Sequence, residues 1–184
     1  MAVKNYLAGL IMVVFLSGCS LYEPVKPGLH RNHFEHFSYD IKGEHWMVNP
    51  FSDGFLMSKD GYTINFIYVK REKLNTDLEV TKQRFLEGME PFELADVQKD
   101  LILSNSGVTN FQLKADAPAK IDGHDGYRLE YSYTTYKGLD VSGIRCGFIH
   151  ERWMYHIVYE GLSEHYFPKN RPDFEEFLSS FKVL

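Results

Sequence analysis

Gly126-Tyr127-Arg128-Leu129-Glu130-Tyr131-Ser132-Tyr133-Thr134-Thr135-Tyr136 is the stretch whose reading decides the fold class. Tyr127, Leu129, Tyr131 and Tyr133 alternate with Arg128, Glu130, Ser132 and Thr134, and a period of two over this length specifies a strand with one packed and one polar face. Lys137-Gly138 supplies the next turn. In the segment that follows, Ile144, Cys146 and Phe148 share a face. Glu151-Arg152 makes a tight reversal, and Trp153, Tyr155, Ile157 and Tyr159 continue the alternation. These three segments predict an antiparallel meander. On its polar face Arg128, Glu130, Arg145 and His156 are expected to meet in cross-strand positions as a candidate binding face. Opposite charges so placed are also ordinary sheet pairing, worth about 0.2 to 1 kcal/mol.

Downstream of the meander, Ser163 to Phe167 reads as a single helical turn, and Pro168 and Pro172 as a loop. Asp173 is placed to cap a last helix whose Phe174, Phe177, Leu178 and Phe181 form an apolar stripe at i, i+3, i+4 and i+7. Upstream, Asn110 to Leu113 starts an extended piece that leads through Pro118 and Ile121-Asp122-Gly123 into the meander. From Leu78 to Ser104 the pattern predicts one broken helix or two. Leu78, Phe85 and Met89 make a first stripe, Gly88 weakens it, and Pro91 opens a second helix carrying Leu94, Val97, Leu101 and Ile102. Trp46 to Leu56 and Tyr62 to Lys70 read as a strand pair around Ser58-Lys59-Asp60-Gly61, a turn of the Asp-Gly type.

The N-terminus sets an address. Lys4 precedes an apolar run from Tyr6 to Leu16, about half of the roughly 20 residues a spanning helix needs, and this is signal-peptide anatomy. Leu16-Ser17-Gly18-Cys19 resembles the lipobox of bacterial lipoproteins. That resemblance implies a signal peptide over 1–18, diacylglycerol on the Cys19 thiol, and acylation of the new amine. Two or three acyl chains make practically permanent attachment at about 0.8 kcal/mol per buried methylene. Ser20, where inner-membrane lipoproteins of enteric-type bacteria typically carry Asp, implies the inner leaflet of the outer membrane, facing the periplasm. Residues 19–36, broken by Pro24, Pro27 and Gly28, read as a lipidated flexible tether before a single domain over 37–184. His30, His33 and His36, spaced by three, are weak metal candidates should they share a short helix, with His45 a little later; the match to a zinc pattern is poor.

The formal net charge of −5 becomes −6 once Lys4 leaves with the signal peptide, and no basic stripe suggests a nucleic-acid partner. The aromatic content of 15% favours a sheet-rich core. With Cys19 assigned to lipid, Cys146 stands alone and is expected to be a buried thiol without a disulfide. There is no Gly-x-Ser-x-Gly elbow, no phosphate-cradling glycine loop and no His-Glu-x-x-His, since His150-Glu151 lacks its second histidine. No catalytic residue, cofactor or resident metal is therefore assigned.

The order of elements, with Gly126-Tyr127-Arg128-Leu129-Glu130-Tyr131, the run from Trp153 to Tyr159 and the closing Ser179-Ser180-Phe181, resembles the PsbP/Mog1 type of domain over Phe37 to Leu184. The resemblance implies an α+β fold, an α/β/α sandwich with a central antiparallel sheet flanked by helices. It also implies a docking or accessory role, as in a photosystem extrinsic protein or a partner of a small nuclear GTPase. The expected function is a membrane-anchored, non-enzymatic accessory or docking module for another envelope protein. The alternatives are a periplasmic small-molecule or metal carrier and, third, an envelope hydrolase.

Overall fold

The computed structural model describes residues 22–184, so the expected signal peptide over 1–18 and the expected lipidation site Cys19 lie outside the described residues. Among the described residues the strands are β1 (Glu23–Pro24), β2 (Gly28–Asn32), β3 (Phe37–Ile41), β4 (Met47–Asn49), β5 (Phe55–Ser58), β6 (Asn65–Lys73), β7 (Val108–Ile121), β8 (His124–Thr135), β9 (Asp140–His150), β10 (Trp153–Leu162) and β11 (Lys182–Val183). Helix α1 (Pro91–Leu103) lies between β6 and β7, and α2 (Tyr166–Ser180) between β10 and β11. An eight-stranded antiparallel sheet runs β1-β4-β5-β6-β10-β9-β8-β7, and a three-stranded one runs β11-β3-β2.

The meander forms as its periodicity dictates, but its packed residues do not share one face. Arg128 pairs with Cys146 and Leu129 with Arg145, so the packed side of β8 and the packed side of β9 are opposite sides of the sheet. Both sides are consequently covered. Ile67, Val69, Ile144, Cys146, Phe148, Tyr155, Ile157 and Tyr159 build one core with α2 and β3. Tyr127, Leu129, Tyr131 and Met154 build the other with Leu94, Ala95 and Ile102 of α1. Two glycines make room for the large rings on the α1 side: Tyr131 lies across Gly143, where an added Cβ would sit 2.5 Å from the ring, and Tyr127 across Gly147. The result is a mixed α+β fold with a large antiparallel sheet and one helix on each side.

Several expectations are corrected. Helix α1 begins at Pro91 as predicted, with the Glu90 backbone N–H donating to Glu93 Oε2 at 2.8 Å. Residues 75–90 are not helical: Asn75 N–H donates to the Phe85 carbonyl and Leu78 N–H to that of Gln83, which closes a loop and lowers Phe85 into the core. Helix α2 begins at Tyr166 and runs through both prolines. Pro168 stands in the first turn, where no N–H is required, and Pro172 forgoes only one helical bond. Asp173 is no cap; its Oδ2 accepts from Trp46 Nε1 at 2.9 Å and from Lys59 Nζ at 3.1 Å. The segment read as one strand from Trp46 is two, β4 and β5, reversing after Asn49.

The expected tether is folded from residue 23 onward: β1 pairs with β4, and β2 with β3. Asn32 is the reason for the second pairing. Its Oδ1 accepts from Phe34 N–H at 3.1 Å and Glu35 N–H at 2.8 Å, an Asx turn that folds β2 back on β3. At the other margin of the large sheet β7 is an edge strand, mostly exposed, with register shifts at Thr109/Gln112 and Leu113/Ala115 and with Pro118 inside it.

Candidate functional site

Helix α1 lies over β7, β8 and β9. Phe66 and Tyr68 of β6, beside Glu160 of β10, remain half-buried alongside it and leave a groove between helix and sheet. The groove floor is polar. Arg145 Nη1 donates to Gln98 Oε1 at 3.1 Å, and Gln98 Nε2 contacts His156 Nδ1 at 3.0 Å. His156 Nε2 lies 3.3 Å from Glu72 Oε2. Because a guanidinium can only donate, Arg145 fixes the orientation of the Gln98 amide; the amide then donates to Nδ1, which leaves the imidazole proton on Nε2, facing Glu72. The neighbouring His156 imidazole holds the Glu72 carboxyl below its ordinary range, against the upward push of burial. Burial would lower the Arg145 pKa, but the neighbouring Tyr131 and Glu160 oxygens outweigh it and raise it.

Further along the same face, Glu160 receives hydrogen bonds from Tyr131 Oη at 2.6 Å and Tyr133 Oη at 2.8 Å. Burial, reinforced by Glu160, pushes the Tyr133 phenol well above its usual range, so these hydroxyls are fixed donors. Glu160 also borders a wider cavity of about 510 Å³ walled by Tyr62, Phe66, Tyr133, Tyr136 and Leu139. Groove and cavity therefore meet at one carboxylate.

Of the four residues expected on a common face, two are here and two are not. Arg145 and His156 lie on the α1 side. Arg128 and Glu130 lie on the α2 side, because Arg128 is opposite Cys146. There Arg128 grips Glu175 in a bidentate pair at 2.9 and 2.6 Å, Glu130 Oε1 receives Arg128 and Arg171, and Arg171 returns to Glu175 at 3.3 Å. Burial raises the Glu175 pKa, and the two guanidiniums more than reverse it. This closed network of two cations and two anions fastens α2 to the sheet and leaves no charge over for a ligand.

The histidines of the N-terminal segment sit on a hairpin instead of a helix. His30 on β2 donates from Nε2 to the Lys26 carbonyl at 2.6 Å and stacks on Tyr39, while His36 occupies a left-handed turn position at φ 55°. Among the described residues no three His, Cys, Asp or Glu side chains converge on a metal position. Cys146 is buried, and burial pushes its thiol up to about 12. That leaves negligible thiolate at neutral pH. Nor is the His156–Glu72 pair set for base catalysis, since Gln98 occupies Nδ1 and Glu72 faces Nε2. Sequence reasoning missed Gln98, Glu72 and Glu160. The available signal was Gln98 itself, an uncharged polar residue between Val97 and the charged Lys99-Asp100.

The arrangement is a mixed α+β domain with a helix–sheet groove. The solved structures it is similar to include PsbP (CyanoP) of Synechocystis sp. PCC 6803, at 13% identity and a TM-score of 0.58 over 91% of this chain and 96% of that one. LpqN of Mycobacterium tuberculosis, described as involved in cell envelope biogenesis, matches at 14% identity and a TM-score of 0.54 over 88% and 90%. A protein from Bacteroides thetaiotaomicron matches at 10% identity and a TM-score of 0.51, over 87% of this chain and 49% of that one. At these identities the likeness defines the fold alone. No family model matches the sequence, and no curated protein does.

Proposed function

We propose that the protein is a lipid-anchored, non-enzymatic accessory module of a bacterial envelope, attached through Cys19 to the inner leaflet of the outer membrane, and that it docks another envelope protein through the α1 groove. The observation that carries the docking surface is the Arg145–Gln98–His156–Glu72 chain, a polar floor beside the half-buried Phe66 and Tyr68. Interfaces combine preorganised polar groups of this kind with aromatic contacts. No helix of the described residues is long and apolar enough to cross a membrane, so attachment in this reading falls to the acyl chains. The envelope role of LpqN supports the location.

The test is site-specific photo-crosslinking in living cells from Tyr68, in the groove, and from Asp125, on the exposed margin. A discrete adduct from Tyr68 that is absent from Asp125 and lost in Leu101→Glu is the expected outcome; equal adducts at both positions would reject the groove as the docking surface. The cavity of about 510 Å³ favours a second reading, a small-molecule carrier. Native mass spectrometry of protein from its host separates the two, because a carrier arrives with a bound mass.

A further inference from the structure

Two of the most exposed large apolar side chains, Phe34 at 82% and Phe51 at 78%, stand on different turns. Both turns are built to hold them out. Asn32 Oδ1 caps the Phe34 turn, and Asn49 Oδ1 accepts from Phe51 N–H at 3.0 Å. Both are also fastened to consecutive residues of β6. Glu35 Oε2 accepts from Arg71 N–H at 2.8 Å, while Asp53 accepts from Lys70 Nζ at 2.9 Å and from Tyr68 Oη at 3.0 Å. The two phenylalanines thus occupy the same end of the domain. They are side chains of hydrogen-bonded turns, presented largely to solvent.

Tyr22, the first described residue, lies at that end. Strand β1 runs antiparallel to β4 with Glu23 opposite Val48 and Pro24 opposite Met47, so the polypeptide before Glu23 comes from the side of Asn49 and the Phe51 turn. Two residues, Ser20 and Leu21, separate Cys19 from Tyr22, so three residue steps span about 10 Å at full extension. With β1 and β2 folded into the sheets, no long spacer stands between anchor and domain.

We infer that the Phe34 and Phe51 turns are a second, non-covalent contact with the phospholipid surface that carries the anchor, and that this contact fixes how the domain stands on the membrane. The inference rests on acylation of Cys19 as proposed above. A bilayer interface accepts exposed apolar side chains to a depth of about 5 to 10 Å, within reach of so short a lead. The cavity mouth at Tyr62 and Tyr136 then faces away from the bilayer, because the β5–β6 and β8–β9 connections lie at the opposite ends of the strands.

The test uses the full lipidated chain reconstituted in phosphatidylethanolamine–phosphatidylglycerol vesicles containing brominated acyl chains. Phe34→Trp and Phe51→Trp are compared with Tyr136→Trp, which is equally exposed at the far end, after subtracting the signal of the native Trp46 and Trp153. The added fluorescence at positions 34 and 51 is expected to fall by about half or more, and that at 136 to be unchanged, since quenching requires contact with the acyl region. Intact mass of the same sample reports the acyl groups. A diacylated chain with no quenching at 34 and 51, or with equal quenching at 136, overturns the orientation and leaves the anchor standing. A chain without acyl groups removes the anchor and the orientation together.

Discussion

Gln98→Leu is the substitution that interrogates the groove floor most directly. Gln98 is 1% exposed and links α1 to the sheet through hydrogen bonds of 3.1 Å from Arg145 and 3.0 Å to His156. Leucine fills nearly the same volume, so little of the effect comes from packing. What remains is a guanidinium donor and an imidazole acceptor that lose their partner. A buried unsatisfied polar group costs about 1 to 3 kcal/mol, and a charged one more. The sum expected for Gln98→Leu is about 3 to 5 kcal/mol, which for a domain of this size lowers Tm by about 6 to 20 °C. Urea unfolding followed by tryptophan fluorescence measures it. A second variant guards the interpretation: Gln98→Leu combined with Arg145→Met removes both donor and acceptor, so the pair should destabilise by less than the sum of the singles. A Gln98→Leu protein within about 0.5 kcal/mol of the parent would refute the reasoning, since surface substitutions typically fall in that range.

Other outcomes follow from neighbouring features. Gly143→Ala drives a methyl to within 2.5 Å of the Tyr131 ring and should cost about 1 to 3 kcal/mol in thermal unfolding, whereas Gly138→Asn, at a φ of 77° with nothing close by, should cost less than 1 kcal/mol. Arg128→Gln opens the Glu130–Arg171–Glu175 network and should destabilise by about 1 to 3 kcal/mol, after allowing for its partial exposure, with adducts from Tyr68 unchanged. Glu175 has its folded pKa depressed below the usual carboxylate value, so its contribution is present above about pH 4.5 and is lost as pH falls through the folded value. Arg128→Gln should flatten that acid limb of the stability profile. Cys146, with its thiol near 12, should resist Ellman's reagent at pH 8 in the native protein and react at once in urea.

The strands of the meander were legible because a period of two survives in Tyr127 to Tyr133 whatever the neighbouring strands do. Their relative parity was not. It depends on how the connection Tyr136 to Leu139 closes, and that places Arg128 against Cys146 instead of Arg145. The expected common face is therefore split: Arg145 and His156 lie on the α1 side, while Arg128 and Glu130 hold α2. Prolines misled in one place, because Pro168 falls in a first helical turn that tolerates it. The hairpin before residue 37 was hidden by Pro24, Pro27 and Gly28, although the Asn32 turn signal was present. Gln98, Glu72 and Glu160 come from three separated segments, and nothing in their local sequence announces that the fold brings them to one groove.

The long margin formed by β7 bears on how the molecule meets other chains. Fourteen residues of mostly exposed strand would ordinarily invite another strand to extend the sheet. The two register breaks interrupt the row of free backbone donors, Pro118 deletes one outright, and Lys114 and Lys120 place positive charge along the rest. A ragged, charged margin of this kind offers a poor template for an incoming strand.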